Sequence, residues 1–254
     1  MRRIVVKVGS AVLTEDNKVA LKRMRALVAF IAELKHDNEV VLVSSGAVSA
    51  GYTALKLDRT ILSNKQALAA IGQPILLGKY AQKFLPFNII TSQVLVTASN
   101  LNKTEDTRRI NKTIDTLLEN NILPIINEND ATATDELEVG DNDQLSAFIA
   151  KDIGADLLII LSDIDAYYNC DPRAHIHAEV IKVVNTISEE ELNSNTTPNN
   201  IFATGGIVTK LKAAAYLLEE NIDTFLASGF DLRDAKSFAL DATHIGGTLF
   251  TKAQ

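Results

Sequence analysis

The chain has 254 residues, a formal net charge of −7, a hydrophobic fraction of 46% and a charged fraction of 22%. This length and apolar content suit one α/β domain or two intimately packed lobes, with a core of Ile, Leu, Val and Ala because Trp is absent and aromatics make up only 6%. The excess of acid argues against nucleic acid or an anionic membrane as partner, while leaving room for a local cationic pocket that holds phosphates. The single cysteine, Cys170, excludes an internal disulfide, and beside Asp171 and Pro172 it reads as an incidental loop residue. No run reaches the ~18 apolar residues of a membrane span. Met1-Arg2-Arg3 leads into an apolar run too short for a secretory signal. The expected location is therefore the cytoplasm.

Short apolar runs alternate with longer helical patterns along the chain. Ile4–Val8 is a β-branched strand pattern, and Val19–Lys35 carries Leu21, Met24, Leu27, Val28, Ile31 and Leu34 at helical spacing. Glu39–Val43 reads as a strand, residues 47–56 and 63–85 as helices, and Phe87–Leu95 contains a strand. Asp106–Glu119 is predicted helical, Ile122–Ile126 a strand, Asp143–Lys151 a helix and Asp156–Leu161 a very apolar strand. Glu189–Asn200 is the most polar stretch and is predicted to be a mobile surface connection, either a plain loop or a lid. Ile207–Glu220 is predicted helical, with late strands at Asp223–Ala227 and Thr248–Thr251. Repeated β-then-α order predicts a mainly parallel sheet with helices on both faces. Leu157–Leu161 shows no polar alternation, as expected for a strand covered on both sides.

In such sheets ligands bind beyond the carboxyl ends of the strands, and five polar or glycine-rich motifs stand at such places. In Val5-Val6-Lys7-Val8-Gly9-Ser10 a lysine near a strand end either meets a phosphate or points to solvent from an edge strand. Ser44-Ser45-Gly46-Ala47 opens a helix with small residues, which suits an anion but also a bare turn. Gly46 and Gly51 have P-loop separation, yet Tyr52 stands where the P-loop lysine belongs, so that motif fails. Asn127-Glu128-Asn129-Asp130 can surround an amino-acid ligand or form an Asn/Asp turn. In Gly140-Asp141-Asn142-Asp143, Asp141 can cap the next helix, and Asp143 either matches the helix dipole or faces a cleft. In Thr204-Gly205-Gly206-Ile207-Val208-Thr209-Lys210, Lys210 returns to the face of Gly206 and lies beside phosphates at the helix start, or is simply solvated. Ser162-Asp163 follows the most apolar strand and could contact a nucleotide; His175 and His177 lack further matching ligands and read as exposed loop residues.

In this order the five motifs resemble the amino acid kinase family, most closely the branch that acts on free glutamate, over nearly the whole chain from Val5 to Phe250. The Asn127–Asp130 and Gly140–Asp143 motifs carry that likeness, as does Lys65-Gln66-Ala67-Leu68-Ala69-Ala70-Ile71-Gly72-Gln73. The resemblance implies a three-layer αβα sandwich with a mainly parallel central sheet, the carbamate kinase-like fold. It implies one kinase domain over 1–254, with an amino-acid lobe at roughly 1–150 and a nucleotide lobe at roughly 151–254. It implies transfer of the ATP γ-phosphoryl group to the side-chain carboxylate of L-glutamate, the first step of proline biosynthesis. By matched motif, Lys7 and Lys210 would touch the transferring group and Asp143 would orient them. Ser45, Gly46, Asp130 and Asn142 would bind glutamate with Asp141 nearby. Lys7, Gly9, Ser162, Asp163 and Thr204, Gly205, Gly206, Ile207, Val208, Thr209 and Lys210 would line the ATP site. Mg²⁺ would accompany ATP, held by phosphates and water rather than by a protein metal site.

Two departures from the family pattern stand out. Ala166-Tyr167-Tyr168 replaces the usual Gly-Leu-Tyr, and the chain ends at Gln254, where many bacterial relatives append a small PUA domain. Relatives assemble through their amino-acid lobes, so a homodimer or homotetramer is expected, without nucleic acid or membrane. The alternatives are a kinase of the same fold acting on N-acetylglutamate, aspartate, carbamate or UMP, and a non-catalytic amino-acid or nucleotide sensor. The sensor would more naturally have lost Lys7, Asp143 or Lys210, and all three are present.

Overall fold

A computed structural model describes residues 1–101, 103–132, 142–193 and 206–252. Strand β1 (Arg2–Val8) is followed by a helical turn α1 (Ser10–Leu13) and a hairpin of β2 (Thr14–Glu15) and β3 (Lys18–Val19). The hairpin turns on Asp16 and Asn17 at φ 49° and 59°, the left-handed pair that a two-residue turn requires. It holds Val19, so the predicted helix starts two residues later, as α2 (Leu21–Leu34). Then come β4 (Asn38–Ser44), α3 (Ala47–Ala54) and α4 (Leu62–Phe84), and β5 (Thr91–Val96) after a 3-10 turn at Leu85–Phe87. The middle of the chain forms α5 (Ala98–Leu101), α6 (Thr104–Glu119), β6 (Leu123–Glu128), α7 (Asn142–Asp152) and β7 (Leu157–Ser162). The last part holds β8 (Val183–Val184), α8 (Glu189–Leu192), α9 (Gly206–Glu219), β9 (Asp223–Ser228), α10 (Arg233–Ala239) and β10 (Thr248–Phe250).

The first residues of the stretch predicted as a surface connection are helical instead. Ser188 caps α8 and Glu191 reaches back to the Ser188 N–H, a reciprocal capping box. Residues 194–200 of that stretch lie outside the described residues.

Eight strands form one sheet in the order β5-β6-β4-β1-β7-β9-β10-β8. Neighbours from β5 through β9 are parallel, β10 runs antiparallel to β9, and β8 is parallel to β10. β1 is central: it pairs with β4 on one side (Val6↔Leu42) and with β7 on the other (Val6↔Ile159). The strand order turns in both directions from β1, so the crevice beyond its carboxyl end is where this architecture places a ligand. Helices cover both faces and make three layers. Ile4, Val6 and Val8 pack with Phe30 of α2 and Tyr80 and Phe84 of α4. Val5 packs with Leu145 and Ile149 of α7 and Leu211 and Leu217 of α9. The two-residue period of a strand gives Lys7 the side of Val5, facing α7 and α9.

Two glycines set the spacing of α3 against α4. A Cβ at Gly72 would lie 1.8 Å from the Ala47 carbonyl oxygen, and one at Gly51 would lie 1.9 Å from that of Leu68. Such an approach of backbones excludes any side chain. Gly72→Ala is therefore expected to destabilise the protein by about 3 kcal/mol or more in urea unfolding, at the upper end of overpacking effects. Gly78→Ala, with nothing within 4 Å, is expected to gain about 0.5–1 kcal/mol as an ordinary helix substitution. Similar midpoints for the two variants would show that the helices are free to separate.

Candidate active site

Beyond the carboxyl end of β1, three elements deliver charged side chains to one buried point. Lys7 comes from β1, Asp143 from the first turn of α7 and Lys210 from the second turn of α9. They are 3%, 0% and 5% exposed, respectively. Lys7 Nζ donates to Asp143 Oδ1. Lys210 Nζ donates to Asp143 Oδ2 at 2.9 Å and to the Gly206 carbonyl oxygen at 2.8 Å. Thr209 Oγ1 donates to the same Asp143 oxygen at 3.0 Å. Lys7 thus lies on a central strand and not on a solvent edge, and Asp143 faces the lysines as well as opening its helix.

Two ammonium groups against one carboxylate leave a local excess of positive charge. Burial pushes the Asp143 carboxyl up, but Lys7 and then Lys210 outweigh burial and hold it well below the usual carboxylate range. The carboxylate stays ionised and both cations stay compensated away from water. An anion is the natural occupant of the space they face.

Beside this triplet lies a cleft of about 280 Å³ lined by Ser10, Ser45, Gly46, Ala47, Val48, Ser49, Asn127, Glu128, Asp130 and Asn142. Gly46 takes φ 105° where β4 gives way to α3, a turn that strains other residues. The Ser45 N–H donates to the Val8 carbonyl at 3.3 Å and ties this turn to β1. Asn142 Nδ2 donates to Ser45 Oγ at 2.7 Å and to Asn127 Oδ1 at 2.9 Å. Asn127 Nδ2 donates in turn to Gln73 Oε1 at 2.8 Å. On the acidic side, burial first and then Asp130 raise the Glu128 carboxyl to about 7, against a smaller pull from Lys65. Burial likewise raises the Asp130 carboxyl, opposed by Lys65. Both groups hold their negative charge at a cost that a cation in the cleft would relieve.

Of the Asn127–Asp130 motif, only Asp130 is expected from the sequence to bind the acceptor. Ser10, Asn127 and Glu128 also line the cleft, and Gln73 supports Asn127 from behind. Ser10 ends the Val5–Ser10 motif, Asn127 and Glu128 open the Asn127–Asp130 motif and Gln73 ends the Lys65–Gln73 stretch, which is the signal the sequence offers for them. Asp141 lies outside the described residues.

On the other side of the triplet, the Gly9 N–H donates to the Leu161 carbonyl at 3.0 Å and joins β1 to β7. Ser162 is buried, its Oγ donating to Asp163 Oδ1 at 2.9 Å and accepting from the Ile164 N–H at 3.3 Å, while Asp163 is exposed. Gly206 opens α9; the Ile207 side chain is buried in the core, and Val208 and Thr209 are half-buried. Thr204 and Gly205 lie outside the described residues. His175 and His177 are exposed, and Cys170 Sγ donates to Asn169 Oδ1 at 3.3 Å. Among the described residues, no group of three or more His, Cys, Asp and Glu could hold a metal ion.

The pattern of the amino acid kinase family matches residues 2–228. The chain is similar to the glutamate 5-kinase of Wolinella succinogenes, with 51% identity over 99% of this chain and 98% of that protein. It is similar to the glutamate 5-kinase of Leishmania donovani, with 48% identity over 98% of this chain and 95% of that protein. Among solved structures, the carbamate kinase of Giardia lamblia bound to AMP-PNP superposes with a TM-score of 0.70 at 17% identity over 99% of both chains. At that identity the likeness speaks for the fold alone.

The raised Glu128 carboxyl has a definite consequence for stability. Its folded-state value of about 7 lies above the ordinary 4.5, so between those values the folded chain binds more protons than the unfolded one. Stability therefore falls as pH rises through that window, and the loss persists above it. Glu128→Gln removes this loss. Its gain in Tm over the wild type, by differential scanning calorimetry, is expected to be larger at about pH 8 than at about pH 5. An equal gain at both would show that the carboxyl titrates normally.

Proposed function

The chain belongs to the amino acid kinase family, and from that premise we propose that it transfers the γ-phosphoryl group of ATP to the side-chain carboxylate of L-glutamate, the first step of proline biosynthesis. The observation that carries the reading at the level of the site is the buried Lys7–Asp143–Lys210 triplet beside a polar cleft of amino-acid size.

The acceptor carboxylate is already ionised at neutral pH, with an ordinary pKa of about 4.3, and needs no general base. One of its oxygens attacks the γ-phosphorus. The bond from that phosphorus to the β–γ bridging oxygen breaks, and ADP leaves with the electron pair. The products are ADP and L-glutamyl 5-phosphate. The difficulty is the approach of two anions and the charge on the phosphoryl oxygens. Lys7 and Lys210 supply fixed positive charge on that path, and Asp143 keeps the two ammonium groups together against their repulsion. Ser45, Gly46, Asn142 and Asp130 bind glutamate, with Asp141 assigned beside them from its motif. Glu128 and Asp130 face its ammonium group.

Gly9, Ser162, Asp163 and Gly206, together with Thr204 and Gly205 from the motif, line the ATP side. The backbone N–H groups of Ile207, Val208 and Thr209 lie in the first turn of α9, where a helix favours phosphate. On this assignment the amino-acid lobe spans roughly 1–150 and the nucleotide lobe roughly 151–254. The Asp143 carboxylate is held by the two lysines and Thr209, and among the described residues no group of three or more His, Cys, Asp and Glu could hold a metal ion, a donor set that suits Mg²⁺ bound mainly by ATP and water. Bound there, Mg²⁺ would neutralise phosphate charge. Among the described residues no helix is long and apolar enough to cross a membrane, consistent with the proposed cytoplasmic location. A homodimer or homotetramer is the assembly we assign.

The decisive experiment is a substrate panel with coupled ADP detection, using glutamate, N-acetylglutamate, aspartate, carbamate and UMP. Turnover is expected with glutamate; turnover only with another acceptor would end the assignment. Lys7→Ala and Lys210→Ala are each expected to fold and to lose about 10²–10³-fold in kcat. Near-normal kcat in both would remove the lysines from the mechanism.

A further inference from the structure

The acceptor cleft backs onto a row of side-chain amides that reaches a helix outside it. Gln73, on α4, is 7% exposed, and Asn127, near the end of β6, is 2% exposed. Gln73 Oε1 accepts from Asn127 Nδ2 at 2.8 Å, Asn127 Oδ1 accepts from Asn142 Nδ2 at 2.9 Å, and Asn142 Nδ2 also donates to Ser45 Oγ at 2.7 Å. A side-chain amide nitrogen only donates and its oxygen only accepts, so the direction of one bond dictates the next. An oxygen at Gln73 draws the nitrogen of Asn127. The oxygen of Asn127 then draws the nitrogen of Asn142. Both N–H groups of Asn142 are thereby used, and its Oδ1 remains for a ligand. Ser45 Oγ has accepted a bond and keeps its own proton to donate. Turning Gln73 around would reverse this sequence.

The part of α4 that carries Gln73 is held at two places. Its neighbour Gly72 lies against the Ala47 carbonyl at the start of α3, directly after Ser45-Gly46. About two turns further along α4, Tyr80 OH shares a hydrogen bond of 2.9 Å with Ser44 Oγ. The helix that carries Gln73 is thus fixed to the same turn that carries Ser45.

We propose that Gln73 is a positioning residue for the acceptor: its side-chain oxygen sets the polarity of the Asn127–Asn142–Ser45 row, so that Ser45 donates to a carboxylate and Asn142 accepts from an ammonium group. A zwitterionic amino acid carries both. Acceptors without a free ammonium group gain nothing from the second contact. The inference rests on glutamate being the acceptor.

The test compares steady-state constants for glutamate and ATP in the wild type, Gln73→Met and Gln73→Glu. Methionine matches glutamine in length but offers no oxygen, whereas glutamate keeps a carboxyl oxygen for Asn127 Nδ2. Gln73→Met is expected to raise the glutamate KM about tenfold, with the ATP KM and kcat within about twofold. Gln73→Glu is expected to keep a glutamate KM near that of the wild type. A role confined to packing gives the opposite ranking, because an apolar side chain suits a buried site better than a carboxyl group. Equal KM in Gln73→Met and the wild type, or equal impairment in both variants, overturns the role of Gln73 and leaves the acceptor assignment standing. A wild type without glutamate-dependent ADP release overturns both. If Gln73→Met does not fold, Gln73→Glu decides alone: an unchanged glutamate KM supports the role and a raised one overturns it.

Discussion

The structure depends on keeping two ammonium groups buried within reach of one carboxylate. Lysine is rarely taken out of water, and an uncompensated buried charge costs several kcal/mol. Asp143 meets that cost with one oxygen for each lysine, and Thr209 adds a further hydrogen bond to Oδ2. The arrangement requires β1, α7 and α9 to converge on the same side of the sheet. It explains why Lys7 follows Val5 in strand phase and why Asp143 stands in the first turn of its helix. It also joins parts of the chain far apart in sequence, so folding and the concentration of positive charge at this point are one constraint. A hydrophobic replacement could pack here as well, but it would leave no positive charge at the head of the sheet.

A second constraint is the closeness of α3 and α4. Gly51 and Gly72 bring these backbones into contact, and the contact lies under the turn made by Ser45 and Gly46. α3, whose first residues line the cleft, is therefore fixed against α4 behind it. The polar row from Gln73 to Ser45 runs through this region with each described bond between 2.7 and 2.9 Å. A buried network of that kind rigidifies a site when satisfied and is costly when broken. It gives the cleft a fixed pattern of donors and acceptors before any ligand arrives.

Much of this was legible in the residues. The β-then-α order foretold the parallel sheet, and Leu157–Leu161 declared a strand covered on both faces. Lys7 alone was ambiguous between a central and an edge strand, because strand order is a long-range property that local pattern does not carry. β8 and α8 were missed because two or four residues are too few to show a period, and β2 and β3 because their signal lies in the left-handed turn residues Asp16 and Asn17. Gln73 stood inside a flagged stretch without an assigned role. Its partner Asn127 is 54 residues away in sequence, and the bond between them is a tertiary contact that local pattern does not carry.

The acidic balance of the chain is compatible with the anionic substrates we propose because charge is distributed by position. The cationic triplet lies at the head of β1, and Glu128 and Asp130 are among the residues that line the cleft beside it. An amino acid with a side-chain carboxylate carries an ammonium group beside its α-carboxylate and a second carboxylate at the end of its side chain. Placed with its ammonium toward Glu128 and Asp130, it turns its carboxylate toward the lysines. On the proposed function, Glu128 and Asp130 repel that side-chain carboxylate and the two lysines attract it. Orientation thus follows from the separation of charge across the cleft, and the amide row between the two poles need only distinguish donor from acceptor.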